Sequence, residues 1–157
     1  MKSRNVLSAI VFVLLCSFVS FTQPKKLADI EGIGPAYQKK LEGAGVKTPA
    51  QLYDAAAPRK GREELAQKSG ISATLLLKWV NRYDLARVKG IGTQYADLLE
   101  AAGVDSPKEL ARRNADNLLE ALAKLNNEKK LVRKLPTKTQ VEKWIKNAKA
   151  VSSNVEG

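Results

Sequence analysis

Residues 30–46, IEGIGPAYQKKLEGAGV, return as residues 88–104, VKGIGTQYADLLEAAGV. Sliding the chain by 58 residues lays 27–57 over 85–115 with 14 of 31 positions identical, among them Gly32, Ile33, Gly34, Tyr37, Leu41, Gly45, Val46 and Pro49. The match resumes at an offset of 65, where LLKWVNR lies over VEKWIKN, so the second copy carries seven extra residues in or near NNEKKLVRKLPT. A repeat of this length is one supersecondary unit used twice, and it predicts two similar units in tandem. The surplus reads as a polar, basic loop in the second.

Each copy is helical by period. Leu76, Trp79, Val80 and Tyr83 make one apolar stripe at i, i+3, i+4, i+7, and Val141, Trp144, Ile145 and Ala148 make its counterpart. Thr48 before Pro49 and Ser106 before Pro107 place an N-cap residue ahead of a proline at the first helical position. Gly45 and Gly103 stand where helices over 35–44 and 93–102 must stop through a left-handed residue. No run of alternating β-branched residues appears, so the fold class expected is all-α, about four short helices per copy. Both tryptophans are expected in the core, with Tyr37 and Tyr95 packing nearby.

The paired glycines then need a reason. Gly32 and Gly34, like Gly90 and Gly92, permit backbone angles closed to other residues, so the chain can reverse sharply between helices. Ile33 and Ile91 are expected to tuck between those helices as apolar plugs. What faces outward is a row of backbone N–H groups at the positive end of a helix, a surface suited to a phosphate oxygen.

These residues resemble the helix-hairpin-helix superfamily, whose pattern is hydrophobic, x, Gly, hydrophobic, Gly, then a short helix with a small residue and a leucine. Ile30, Gly32, Ile33, Gly34, Ala36 and Leu41 follow it, as do Val88, Gly90, Ile91, Gly92 and Leu99, with Gln94 in place of the small residue. The chain is most similar to a bacterial family of exported proteins with tandem helix-hairpin-helix domains, over about 25–149, and KSGISATLLLKWV looks like a further, degenerate hairpin. The resemblance implies contact with DNA backbone phosphates without reading of base sequence. Some members of the superfamily instead use the hairpins only as joints or to bind protein.

Charge narrows where such contact would fall. The chain carries 27 basic and 16 acidic residues, net +11, which implies an acidic partner. Residues 25–84 hold a net +4, residues 85–123 a net −1 and residues 124–157 a net +6. Candidate phosphate-binding residues are therefore Gly32, Ile33, Gly34, Lys39 and Lys40 at the first turn, and Lys89, Gly90, Ile91, Gly92 and Thr93 at the second. Lys129, Lys130, Arg133, Lys134 and Lys138 form a candidate basic patch. Each turn has a partial positive surround: Pro35 removes an N–H that Thr93 keeps, Glu31 stands where the second copy has Lys89, and Lys39 and Lys40 are replaced by Asp97 and Leu98.

Catalysis has little to stand on. With no histidine the usual general base near neutral pH is missing, and there is no nucleophile elbow, phosphate-loop lysine or metal-ligand cluster. The expectation is a non-enzyme with no catalytic residue, metal, cofactor or small-molecule substrate. Residues 1–22 supply the remaining context. Lys2 and Arg4 precede a 16-residue apolar run from 6 to 21, short for a membrane span of about 20 residues and suited to a secretory signal. Ser20 and Thr22 occupy small-x-small positions before Gln23, similar to signals of exported Bacteroidetes proteins. A retained membrane anchor or a lipid on Cys16, the sole cysteine, are the alternatives, although Leu15 ill suits a lipobox.

The division expected is a signal peptide over 1–22, repeat 1 over 23–84, repeat 2 with the basic insertion over 85–149, and a disordered tail over 150–157. Two function classes follow: an exported, periplasmic or extracellular, sequence-nonspecific nucleic-acid binder, similar in logic to competence DNA receptors, or a structural or protein-interaction adaptor of the cell envelope. Membrane contact is expected only through an uncleaved signal. Protein recovered from the envelope should begin at Gln23, with or without cyclisation of that residue. Intact-mass spectrometry checks this, and the mass of the full chain, or of a lipidated Cys16, would refute it.

Overall fold

The computed structural model describes residues 23–157, and the expected signal segment 1–22 lies outside the described residues. Among the described residues there are eight α-helices and no strand, so the protein is all-α. After a 3-10 turn at Leu27–Asp29, helices α1 (Pro35–Gly43), α2 (Pro49–Ala56), α3 (Arg59–Ser69) and α4 (Ala73–Ala86) make a first group. Helices α5 (Thr93–Ala101), α6 (Pro107–Leu110), α7 (Ala115–Lys129) and α8 (Lys138–Ala148) make a second.

Local chemistry sets the helix ends. Thr48 Oγ1 accepts from Gln51 N and Ser106 Oγ from Glu109 N, both at 3.2 Å, and the following prolines begin α2 and α6 with φ already helical. Past α1 and α5 the chain turns through Gly45 (φ 89°) and Gly103 (φ 83°), which let Val46 N donate to Leu41 O and Val104 N to Leu99 O at 2.9 Å. The seven-residue surplus divides between the last turn of α7 and an ordered bend. Asn126 Nδ2 donates to Val132 O and Val132 N returns a bond to Asn126 Oδ1, so the bend is tied to the helix at both its polar ends.

Two cores lie side by side. Leu27, Leu41, Leu52, Leu76 and Trp79 centre the first, and Leu85, Leu99, Leu110, Leu122 and Trp144 the second. Burying one such side chain contributes about 1.5–3 kcal/mol, so each cluster is a substantial core of its own. No linker separates them. Helix α4 supplies Leu76, Trp79 and Val80 to the first core and, one turn further on, Leu85 and Ala86 to the second.

Residues 150–157, expected as a disordered tail, leave α8 in the second group and run extended along the first. Glu156 N donates to Ala57 O at 2.9 Å, Asn154 N to the Tyr53 hydroxyl at 3.0 Å, and Val155 packs on the first core. The tail has polar composition but meets specific partners across about a hundred residues of sequence, which no local pattern announces.

A shared helix and a returning tail couple the two cores. Urea unfolding followed by fluorescence should therefore give one transition, with the same midpoint in Trp79→Phe, where Trp144 reports, as in Trp144→Phe, where Trp79 reports, once each is corrected for its own stability change. Two midpoints in the unsubstituted protein would show that the groups unfold apart.

Candidate nucleic-acid interface

Each Gly-Ile-Gly turn is built around its first glycine. Gly32 has φ 90° and Gly90 φ 96°, angles that L side chains rarely adopt, whereas Gly34 (φ −81°, ψ 176°) and Gly92 (φ −87°, ψ 176°) are extended. The expectation that both glycines serve conformational freedom is corrected: only the first does. A Cβ on Gly32 would stand 3.1 Å from Trp79 Nε1, and one on Gly90 3.2 Å from Trp144 Nε1, while one on Gly34 would meet nothing within 4 Å. The first glycine is thus needed twice over, for its angle and for the indole seated against it.

The last helix of each group latches the turn. Trp144 Nε1 donates to Gly90 O at 3.0 Å, and Asn147 Nδ2 to Lys89 O at 2.9 Å. At the matching places in the first group Trp79 lies against Gly32, and Arg82 Nη1 donates to Glu31 O at 2.6 Å. Tyr37 meets Trp79 edge-on at 5.1 Å and Tyr95 meets Trp144 at 4.9 Å. Ile33 and Ile91 are buried as plugs, and their N–H groups are spent inside the turn on Ile30 O and Val88 O. Neither isoleucine can donate to a phosphate, which removes them as direct contacts.

The helices that follow are the ones left without a cap. Side-chain oxygens meet the first turn of α2 (Thr48), α3 (Glu156), α4 (Ser72), α6 (Ser106), α7 (Asn114) and α8 (Thr137). Gly34 and Gly92 offer α1 and α5 no side chain. The leading amides of a helix point along its axis away from the body, and those of Gly34 and Ala36 find no acceptor among the described residues. Pro35 contributes none.

The surroundings of the two turns differ. Glu31, Gly32, Gly34, Pro35 and Ala36 are exposed, with Lys39 and Lys40 exposed beyond them; Lys40 Nζ stands 5.9 Å from the Tyr37 ring centre. At the second turn Gly90, Gly92 and Thr93 are only half exposed, although Lys89 is open. Helix α5 packs on α4, and this places Asp97 and Leu98 at the contact: Leu98 is fully buried, and Asp97 Oδ1 lies 2.6 Å from Arg82 Nη2. Arg82 also reaches Glu100 at 3.4 Å. One guanidinium therefore joins the first turn, through Glu31 O, to the helix of the second turn, and Thr93 lines the same small recess as Glu31 and Arg82.

In the basic patch Lys129, Lys130, Arg133 and Lys134 are exposed, Lys130 holding a left-handed φ of 53° that ends α7. Tyr95, on the helix of the second turn, donates its hydroxyl to Lys134 O at 3.1 Å, and burial raises its pKa. The patch and the second turn are thereby joined. Lys138 is committed differently: its Nζ lies 2.7 Å from Asp116 Oδ1, and the hydrogen bond it donates to that carboxylate raises its pKa. Arg82 and Tyr95, which connect these pieces, were not among the expected site residues. The match of WVNR with WIKN does carry Arg82 and Asn147 at corresponding places.

Among the described residues no group of three or more possible metal ligands occurs, and no helix is long and apolar enough to cross a membrane. What the fold and the turns define is an all-α protein with two exposed or half-exposed glycine turns and basic flanks. The chain belongs to the family described as Domain of unknown function (DUF4332), whose model matches residues 31–151. No curated protein and no solved structure matches it.

The two glycines of one turn should respond oppositely to a methyl group. Gly32→Ala should cost about 1–3 kcal/mol, since the angle is strained for alanine and Trp79 has to move, while Gly34→Ala should stay within about 1 kcal/mol, the ordinary scale of an N-cap change. Urea midpoints of the two variants decide it, and equal losses would contradict the assignment of roles.

Proposed function

We propose that the two Gly-Ile-Gly turns are helix-hairpin-helix motifs in tandem and that the protein is an exported, non-enzymatic, sequence-nonspecific nucleic-acid binder acting on backbone phosphates. The observation that carries this reading is the capping pattern: α1 and α5, alone among the eight described helices, begin without a side-chain acceptor, and both follow the turn. An anion is the natural complement of such amides, because it takes their hydrogen bonds and sits at the positive end of the dipole. Gly34 has no side chain to keep a phosphate at a distance.

The first turn is the principal grip, being open and flanked by Lys39 and Lys40. The second contributes Lys89 and Thr93 from a half-covered position, with Lys129, Lys130, Arg133 and Lys134 beside it through Tyr95. Base identity is not read, since backbone amides and lysines at these positions address charge and geometry alone. The half-covered second turn favours a second reading, an adaptor of the envelope in which that turn serves as a joint.

Fluorescence anisotropy of short duplexes and single strands with residues 23–157, at low and physiological salt, separates the two readings. Gly34→Val should lower affinity by at least about tenfold, or about 1.4 kcal/mol, with helices intact by circular dichroism, and Gly92→Val should lower it less. Neutralising Lys129, Lys130, Arg133 and Lys134 should weaken all sequences alike and flatten the salt dependence by up to about 0.9 log unit per lost phosphate contact. Flat anisotropy at low salt would leave the adaptor, and a folded Gly34→Val that binds normally would make the turns joints only.

A further inference from the structure

The tail over 150–157 is held in the manner of a bound peptide. Its backbone is met at Ser152, Asn154 and Glu156 and again at Gly157: Arg87 Nη1 donates to Ser152 O at 3.2 Å, Asn154 N donates to the Tyr53 hydroxyl at 3.0 Å, Glu156 bonds through both N and O, to Ala57 O at 2.9 Å and from Arg62 Nη2 at 2.7 Å, and Arg59 Nη2 donates to Gly157 O. The residues between point the other way in chemistry as well. Ser153 donates its hydroxyl to the buried Asp84 carboxylate, and Val155 packs on the first core. Period-two recognition of main chain with pockets for alternate side chains is how a surface reads an extended peptide.

Charge at the end of this groove is unusual for a helix start. The first turn of α3 carries Arg59, Lys60 and Arg62 and no acid, so cations stand at the positive end of the dipole, and Pro58 offers no cap. The Glu156 carboxylate fills the deficit by accepting from Arg59 N at 2.9 Å. Helix α7, which holds the corresponding place in the second group, is served by Asn114 and has Asp116 in its first turn. Arg62 is 4% exposed and also spans Ala56 O and Ala57 O, so it is fixed in place and faces the ligand with its remaining amine. An acid complements this point, and it is supplied from outside the helix.

We propose that this groove between α2, α3 and α4 is a receptor for an extended acidic peptide of a partner protein, with the chain's own tail as its resident, exchangeable occupant. The ligand it fits has a small hydroxyl residue, any residue, an aliphatic residue and an acid, in the order of Ser153 to Glu156. Arg59 and Arg62 give the end of the groove its positive charge, which complements the acid of such a ligand, while Arg87 is paired with Asp84 at 2.6 Å. A phosphodiester does not fit as well, because it has no donors for the Tyr53 hydroxyl and Ala57 O. The tail competes at the effective concentration of a short tether, about millimolar, so a partner must bind more tightly than the tail or arrive when the tail is released.

The test uses the full-length protein carrying Val155→Asp and Glu156→Lys, which remove the tail's plug and its carboxylate, and a fluorescein-labelled peptide AVSSNVEG as probe. The variant should bind the probe saturably, and the unsubstituted protein at least about tenfold more weakly because its tail competes. Changing the probe's glutamate to lysine should abolish binding. In the unsubstituted protein, excess unlabelled peptide should speed amide exchange at Asn154 and Glu156, a readout that does not depend on how the variant folds. Equal affinity for the two proteins, binding that survives the lysine, or unchanged amide exchange overturns the proposal. Displacement of the probe by a short DNA duplex would assign the groove to phosphate, and a dimer that grows with protein concentration would assign it to the tail of a second copy; either result also overturns it.

Discussion

The contact on which the rest of the structure depends is the indole of one helix resting on a glycine with no side chain. Trp144 seats on Gly90 and Trp79 on Gly32, each at a backbone angle that glycine alone takes readily. From that seat the geometry propagates in both directions. Toward the inside, the turn tucks Ile33 or Ile91 into the core and commits its amide to the turn. Toward the outside, the chain leaves the seat extended at Gly34 or Gly92 and starts a helix with no side-chain cap. A residue with a Cβ at the first position would strain the backbone and force the indole to shift, so the core and the surface would be perturbed together. The tryptophan therefore belongs to the site as much as to the core, although it touches no ligand.

Much of this is local chemistry, and local chemistry is legible in a sequence. Thr48-Pro49, Ser106-Pro107, Gly45 and Gly103 mark helix ends because caps and left-handed stops involve residues a few places apart. The stripes through Trp79 and Trp144 mark buried faces because a helix repeats every 3.6 residues. The repeat itself is visible because both copies solve the same problem. What could not be read depends on which faces meet. Lys39 and Lys40 becoming Asp97 and Leu98 is plain in the alignment, but its cause, the packing of α5 on α4 with Arg82 between, is a tertiary fact. The tail is the clearer case: SSNVEG has the composition of a solvated end, and only Tyr53, Arg62 and Asp84 together make it a fitted segment.

The glycine pair shows a finer limit. Two glycines flanking an isoleucine suggest two unusual backbone angles, yet only Gly32 and Gly90 have them. The second glycine is extended, and any residue could adopt its angles, so the reason for it is not conformational. A missing side chain at a helix start removes bulk from the front of the amides and removes the capping oxygen that would occupy them. The same residue type serves two physical ends two positions apart, and composition cannot separate them.

The two turns are alike in frame and unlike in surroundings because of where each lies in the packing. Two groups packed side by side bury a face of each, and beside the second turn that face belongs to α5, which packs on α4. Where the first copy has two exposed lysines, the buried face of α5 has an aspartate that meets Arg82 and a leucine that fills the joint. The second turn therefore has less positive charge on its own helix, and the bend carrying Lys129, Lys130, Arg133 and Lys134, fastened to α5 through Tyr95, brings charge toward it from another direction. The first copy has its lysines but a different deficit, a helix α3 beginning with three cations, and there Glu156 supplies the acid. In each copy a local electrostatic cost is met by a segment distant in sequence, and the segment over 150–157 also ties the groups together, running from α8 to Tyr53 and Ala57 of the first.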